Sequence, residues 1–266
     1  MRLVAWTPSG TGPDRAVADG VLDATARSVA EAVRGADLIV LAAPPLDCLA
    51  LLDELGGPSR SALDPGATIT DVASTKAAIV ARAASLGLPF VGGHPMAGRE
   101  TAGYEAATED LFIDRPWVVV RTEGATQRDM RAVEALALAC GARPIEMDAA
   151  THDAAVAGTS HLPLILAAAL VEAIVGANDG LGRTPRPFVP ELVAGGWRDM
   201  TRLARGDIAM GTGIVVTNGP ALAARIRDLR AVLDGWLAEL ERPDGPDEPA
   251  VTDRLRSARD RLEQLH

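Results

Sequence analysis

The run Ala36-Asp37-Leu38-Ile39-Val40-Leu41-Ala42-Ala43, closed by Pro44-Pro45, most constrains the fold. A mainly apolar stretch cut off by prolines reads as a strand covered on both faces, and such strands belong to parallel sheets packed between helices. The alternation continues along the first half. Leu3 to Trp6 reads as a strand, before the turn-rich Thr7 to Pro13 and a weak helix leading to Val21. Val29 to Arg34, Leu46 to Leu55, Lys76 to about Leu86 and Gln127 to Ala139 read as helices. Ala67 to Val72, Leu88 to Val91, Trp117 to Val120 and Arg143 to Met147 read as strands. This order predicts a doubly wound, mostly parallel α/β sheet over residues 1–148. Past Asp148 the apolar spacing turns helical, so 149–242 is expected to be an all-α domain, with Asn178 to Pro190 a loop and 243–266 a linker and peripheral helix.

With 266 residues, 48% hydrophobic and 23% charged, the chain can fill one large core or two ordinary ones. A net charge of −10 argues against non-specific nucleic-acid binding and against a basic membrane-surface helix. The two cysteines, Cys48 and Cys140, show no metal-ligand spacing, which fits a reducing cytoplasm and no bound metal. No charged-then-apolar leader opens the chain and no uninterrupted run approaches a membrane span, so a soluble, cytoplasmic protein is expected.

Three clusters can carry chemistry. Gly92-Gly93-His94-Pro95-Met96-Ala97-Gly98-Arg99-Glu100 follows the Leu88–Val91 strand, and the glycines are expected to turn the chain sharply, presenting His94 where parallel strands meet ligands. Asp71-Val72-Ala73-Ser74-Thr75-Lys76 ends another strand and opens a helix whose amides favour anions; Ser74 is expected beside His94, and Ser74 or Thr75 alternatively caps the helix. Gly195 to Arg205 sets Arg198, Arg202 and Arg205 on one helical face, which calls for anions from Asp199 or from a carboxylate ligand. His152 and His161 fall nearly opposite each other on an ideal helix and read as core or capping residues, and Pro163 is expected to kink the second.

These segments, with Ser160-His161-Leu162-Pro163, resemble in order and spacing the prephenate and arogenate dehydrogenases of tyrosine biosynthesis. The likeness runs from about Leu3 to Leu240, and HPMAG followed by GGxxDxTR is its most specific part. It implies a Rossmann-like domain followed by a helical dimerisation domain, a homodimer, and a small-molecule substrate. The implied reaction is oxidative decarboxylation, taking prephenate to 4-hydroxyphenylpyruvate or arogenate to tyrosine with NAD or NADP. By resemblance His94 is the general base and Ser74 orients it. Arg202 clamps the substrate carboxylate, while Asp199, Glu100, His161, Gly195 and Gly196 shape the substrate site. Thr7, Ser9, Ala43, Pro44, Pro45, Asp71 and Ser74 fall at the family's cofactor positions.

The chain departs from the pattern in three places. Leu164 replaces a second histidine common in relatives, and Gly211 follows Met210 where an aromatic residue is frequent. There is no GxGxxG, and by the resemblance Leu3–Trp6 corresponds to the family's second strand, so that about 30 residues bearing the first strand and phosphate turn are expected to be absent from this sequence. The strands at Leu3 and Asp37 are therefore expected to lack their shared neighbour, and cofactor binding to be weak. Two other readings stand beside the enzyme: a non-catalytic dimeric remnant that binds an aromatic dicarboxylate, and a different Rossmann oxidoreductase such as a 3-hydroxy acid dehydrogenase.

Overall fold

The computed structural model describes residues 1–98, 103–175 and 190–265. Five strands form the main sheet in the order β3 (Leu38–Leu41), β4 (Thr68–Asp71), β5 (Phe90–Pro95), β6 (Pro116–Arg121), β7 (Arg143–Glu146). All neighbours are parallel except β5 and β6. The alternating direction of side chains along β5 divides the core. Phe90 joins Ile39, Leu41, Leu52, Leu55 and Ile79 beneath the helices α3 (Pro45–Gly56) and α4 (Ala77–Ser85). Val91 joins Trp117, Val119, Met130 and Val133 beneath α5 (Gln127–Ala139). Helices cover both faces, which is why these strands read as unbroken apolar runs.

The chain's first strand, β1 (Val4–Ala5), does not join that sheet. It pairs in parallel with β2 (Ala24–Thr25), around α1 (Thr11–Ala18), and α2 (Val29–Val33) follows. β3 is thus an edge strand, with Val40 40% exposed.

The expected turn after Val91 is not there. β5 continues through Gly92, Gly93, His94 and Pro95, and the register sets His94 opposite Val118. The glycines answer a packing demand instead of a turn. A Cβ on Gly93 would stand 2.4 Å from the Asp71 carbonyl oxygen and 3.1 Å from Trp117 Nε1, so β5 can lie against the end of β4 only if this position is bare.

Beyond β7 all described elements are helical. α6 (Ala149–Val156) passes through a π-helical turn (Ala157–His161) into α7 (Leu162–Ile174). Pro163 is the second residue of α7, just past the π turn, so the irregularity precedes the proline. Together Ala149–Ile174 is the one described helix long and apolar enough to cross a membrane. Its first half, however, holds Asp153, which is buried and bonded to the start of α4. α8 (Gly195–Thr201) is short. It gives way to a 3₁₀ turn at Arg202–Arg205, so the three arginines do not share one regular helix, and α9 (Ile208–Thr217) follows. Residues 178–189 of the expected loop lie outside the described residues.

The chain divides into two compact units, Met1–Leu222 and Ala223–His266, and the boundary falls within α10 (Gly219–Leu240). In the second unit α11 (Glu248–Glu263) places the Arg254 guanidinium 4.1 Å from the centroid of Trp236, where it also donates to the Val232 and Gly235 carbonyls at 3.0 Å.

Gly93→Ala is expected to lower stability by about 1 to 3 kcal/mol, read as a fall in urea midpoint. Gly98→Ala, where an added Cβ meets nothing within 4 Å, should leave it nearly unchanged.

Candidate active site

The C-terminal ends of β4 and β5 carry the chemistry. Lys76 is fully buried, an expensive place for an ammonium unless it is paired, and its Nζ bonds the Asp71 carboxylate. Asp71 also accepts from Gly93 N at 2.9 Å and Ala73 N at 3.1 Å. Burial pushes its carboxyl up; the Lys76 ammonium and these amides pull the other way. Asp71 thus faces no cleft, and it binds the end of β4 to β5 one residue before His94.

Neither Ser74 nor Thr75 caps α4. The cap comes from α6: Asp153 accepts the Lys76 amide at 2.8 Å and the Ala77 amide at 2.9 Å. The same carboxylate bonds His152 Nδ1 at 2.8 Å, and His152 Nε2 lies 2.8 Å from His94 Nδ1, with the two rings edge-on at 76°. Burial opposes ionisation of Asp153, but the bonds to His152 and the two amides outweigh it and hold the carboxyl below its usual range. Asn218, at the end of α9, spans the remaining gap. Its Nδ2 donates to the Asp153 carbonyl at 2.9 Å and to His161 Nδ1 at 3.1 Å.

His94 is therefore a neutral imidazole at rest. Burial drives its pKa well below 6.5, and Lys76, His152 and His161 add to the effect. His161 is lowered to about 4, chiefly by burial. Asp153 and the Ser74 backbone oppose that shift. Its Nε2 is buried, and although the Ser74 backbone is near, no atom of the described residues meets it with hydrogen-bonding geometry.

Ser74 Oγ contacts Met210 Sδ on α9 at 3.7 Å, not His94. A thioether is a weak acceptor, which leaves the hydroxyl available to a stronger one. Beside it Thr75 Oγ1 lies 2.7 Å from Thr217 Oγ1, which donates to the Gly213 carbonyl, so Thr75 is the donor of that pair. Arg202 and Asp199 are exposed, the arginine on the 3₁₀ turn packed against α7, the helix that begins next to His161. Gly195 and Gly196 open α8 with open space where a Cβ would be. Glu100 lies outside the described residues.

The expected cofactor positions follow strand ends. Thr7 and Ser9 are exposed just past β1, where Thr7 Oγ1 accepts the Gly10 amide at 3.0 Å and Ser9 Oγ meets Thr11 Oγ1 at 2.9 Å. Ala43 and Pro44 follow β3, and Pro45 opens α3 while packing under Gly213 of α9. Among the described residues no group of three or more His, Cys, Asp or Glu side chains is placed to hold a metal ion. Burial pushes the Cys48 thiol up to about 12, which removes it as a nucleophile.

The model of the prephenate dehydrogenase nucleotide-binding domain matches residues 8–146, and that of the prephenate dehydrogenase dimerization domain matches 148–248. The chain belongs to the prephenate dehydrogenase family. It is 32% identical over 227 residues to a prephenate dehydrogenase of Bacillus subtilis (strain 168), covering 84% of this chain and 57% of the relative. To that of Lactococcus lactis subsp. cremoris (strain MG1363) it is 34% identical over 222 residues, covering 81% and 57%. The chain thus spans little more than half the length of these curated relatives. Among solved structures, Synechocystis arogenate dehydrogenase is 29% identical with a TM-score of 0.77, matching 100% of this chain and 91% of that one. A prephenate dehydrogenase from A. aeolicus, 23% identical, shares the fold with a TM-score of 0.85 over 100% and 89% of the two chains.

Sequence reasoning singled out His94 and Ser74 but did not connect His152, Asp153 and Asn218 with His94. A signal was present: His152-Asp153 is a polar pair inside an otherwise apolar helix, and a carboxylate there needs donors.

The lowered His161 pKa fixes a pH dependence. Between about 6.5 and 4 the unfolded chain binds a proton that the folded one refuses, so stability falls as pH drops through that window, by up to roughly 3 kcal/mol. Urea titrations at pH 7 and 4.5 should show the loss, and His161→Gln should make it shallower.

Proposed function

We propose that the chain carries out NAD- or NADP-dependent oxidative decarboxylation of prephenate or arogenate in tyrosine biosynthesis. The observation that carries this is His94, a neutral imidazole at the C-terminal end of the central strand. Its Nδ1 is held by the His152–Asp153 pair, and its Nε2 has no hydrogen-bond partner among the described residues. A neutral ring with one free lone pair is the form a general base requires. His94 Nε2 takes the proton of the substrate hydroxyl as that carbon becomes a carbonyl. Ser74, held by no more than a thioether, donates to the same oxygen. Arg202 grips a substrate carboxylate through its planar fork, with Asp199 and Glu100 around the entrance and His161, Gly195 and Gly196 lining the site. The ring carboxylate leaves as carbon dioxide and an aromatic phenol results.

The nicotinamide, when bound, accepts the hydride. Residues that suit the dinucleotide lie past the C-terminal ends of β1 and β3: the hydroxyls of Thr7 and Ser9, and the Ala43-Pro44-Pro45 entry to α3, whose first-turn amides lack intrahelical partners. Asp71 supports this region from within the core instead of reaching the ligand. Residues 1–148 then form the nucleotide domain, 149–242 the substrate and dimerisation domain, and 243–266 a linker and outer helix. Exposed Ile208, Val215 and Val216 on α9 and Val232, Leu233 and Leu237 on α10 suit a cytoplasmic homodimer built through the helical region.

Assayed with each substrate and cofactor, His94→Asn should lower kcat by about 10² to 10⁴ with cofactor affinity nearly intact. A wild-type rate would remove His94 from the chemistry. Arg202→Lys should raise KM by about tenfold or more, because an ammonium cannot reproduce the bidentate contact. An unchanged KM would end the clamp assignment.

A further inference from the structure

The His152–Asp153 pair is buried, fully bonded and used by no step so far. Its hydrogen bonds have a fixed direction. Asp153 accepts two backbone amides, whose protons are not in question, so it is held as a carboxylate and the third bond must be donated by His152 Nδ1. His152 Nε2 then carries a lone pair and accepts from His94 Nδ1. This leaves the His94 lone pair on Nε2. The tautomer of the base is thus set two residues away, by a carboxylate that also caps a helix.

The geometry points to His152 as the resting place of the substrate proton during turnover, with His94 as the shuttle. The inference rests on His94 being the base. As the substrate O–H bond breaks, its proton joins His94 Nε2, and the proton on His94 Nδ1 crosses the 2.8 Å contact to His152 Nε2. His94 ends neutral, protonated at Nε2, and His152 ends as an imidazolium against Asp153. No other co-reactant is needed. After product leaves, the proton returns along the same path, because His152 is 1% exposed and has no route of its own to solvent.

The distribution of charge favours this direction. Three groups that carry or can take positive charge bear on His94: Lys76 from the start of α4, His152 from α6 and His161 from the π turn. The two carboxylates sit elsewhere, Asp71 on Lys76 and Asp153 on His152. A cation left on His94 would face the first set without a partner. On His152 it has one in contact. His152 is accordingly a positioning residue in the resting enzyme and a proton acceptor only through His94.

The first test needs no turnover. Nitrogen-15 NMR of histidine-labelled protein, assigned with His94→Asn and His152→Gln, should show both His94 and His152 protonated at Nδ1 at neutral pH. Protonation of resting His94 at Nε2 would overturn the inference. The second test is kinetic. Glutamine at 152 can still accept from His94 Nδ1 through its carbonyl but cannot hold a proton. His152→Gln is therefore expected to lower kcat by about 10- to 100-fold with KM little changed, and to move the acid limb of the kcat/KM profile to lower pH. A purely structural role would leave that limb in place. Unchanged kcat and an unchanged profile in folded His152→Gln would refute the relay, while a wild-type rate in His94→Asn would instead refute the base assignment and leave the tautomer result standing.

Discussion

One carboxylate holds the site together. Asp153 reaches from α6 to the amides of Lys76 and Ala77 at the start of α4, supplying a cap that neither Ser74 nor Thr75 provides. A capping bond of this kind is worth about 1 kcal/mol on an exposed helix. Buried, its removal is more costly, since two amides and an imidazole would lose their acceptor together. The bond also fixes α6 against the start of α4, beside the strand end that carries His94. Helix capping, docking of the helical half and orientation of the base are one interaction.

The second constraint is the Asp71–Lys76 pair. It closes the end of β4 against β5 and leaves the ammonium as a fixed positive neighbour of His94. The amides of Ala73 and Gly93 also donate to Asp71, so three donors from the protein hold its carboxylate in place. Gly93 belongs to the same construction. Its bare Cα lets the two strand ends come close enough for that pair to form.

Local signals in the sequence were sufficient for most of the elements, though not for β2 or for the full length of β5. The apolar run at Ala36–Ala43, the prolines that end it and the helical spacing after Asp148 all lead to the observed order of strands and helices, and Gln127–Ala139 is bounded by a Thr126–Asp129 capping box. What local pattern could not supply was pairing over long separations. Gly92 and Gly93 suggest a turn by composition, but a packing demand from Asp71 and Trp117 keeps them extended. His152 and His161 look opposed on an ideal helix, and only the tertiary contacts to His94 and Asn218 show that they serve one cluster.

That convergence depends on the π turn at Ala157–His161. A regular helix advances about 100° per residue, so nine residues would carry His161 half a revolution away from His152. The wider turn absorbs part of that rotation and brings both rings to the side facing the sheet, both nearly inaccessible to solvent. The helix therefore has a reading frame of its own. An ordinary helix over the same number of residues would swing His161 and all of α7 out of phase with α6, so it is the wider turn at Ala157–His161 that keeps the two histidines on one cluster.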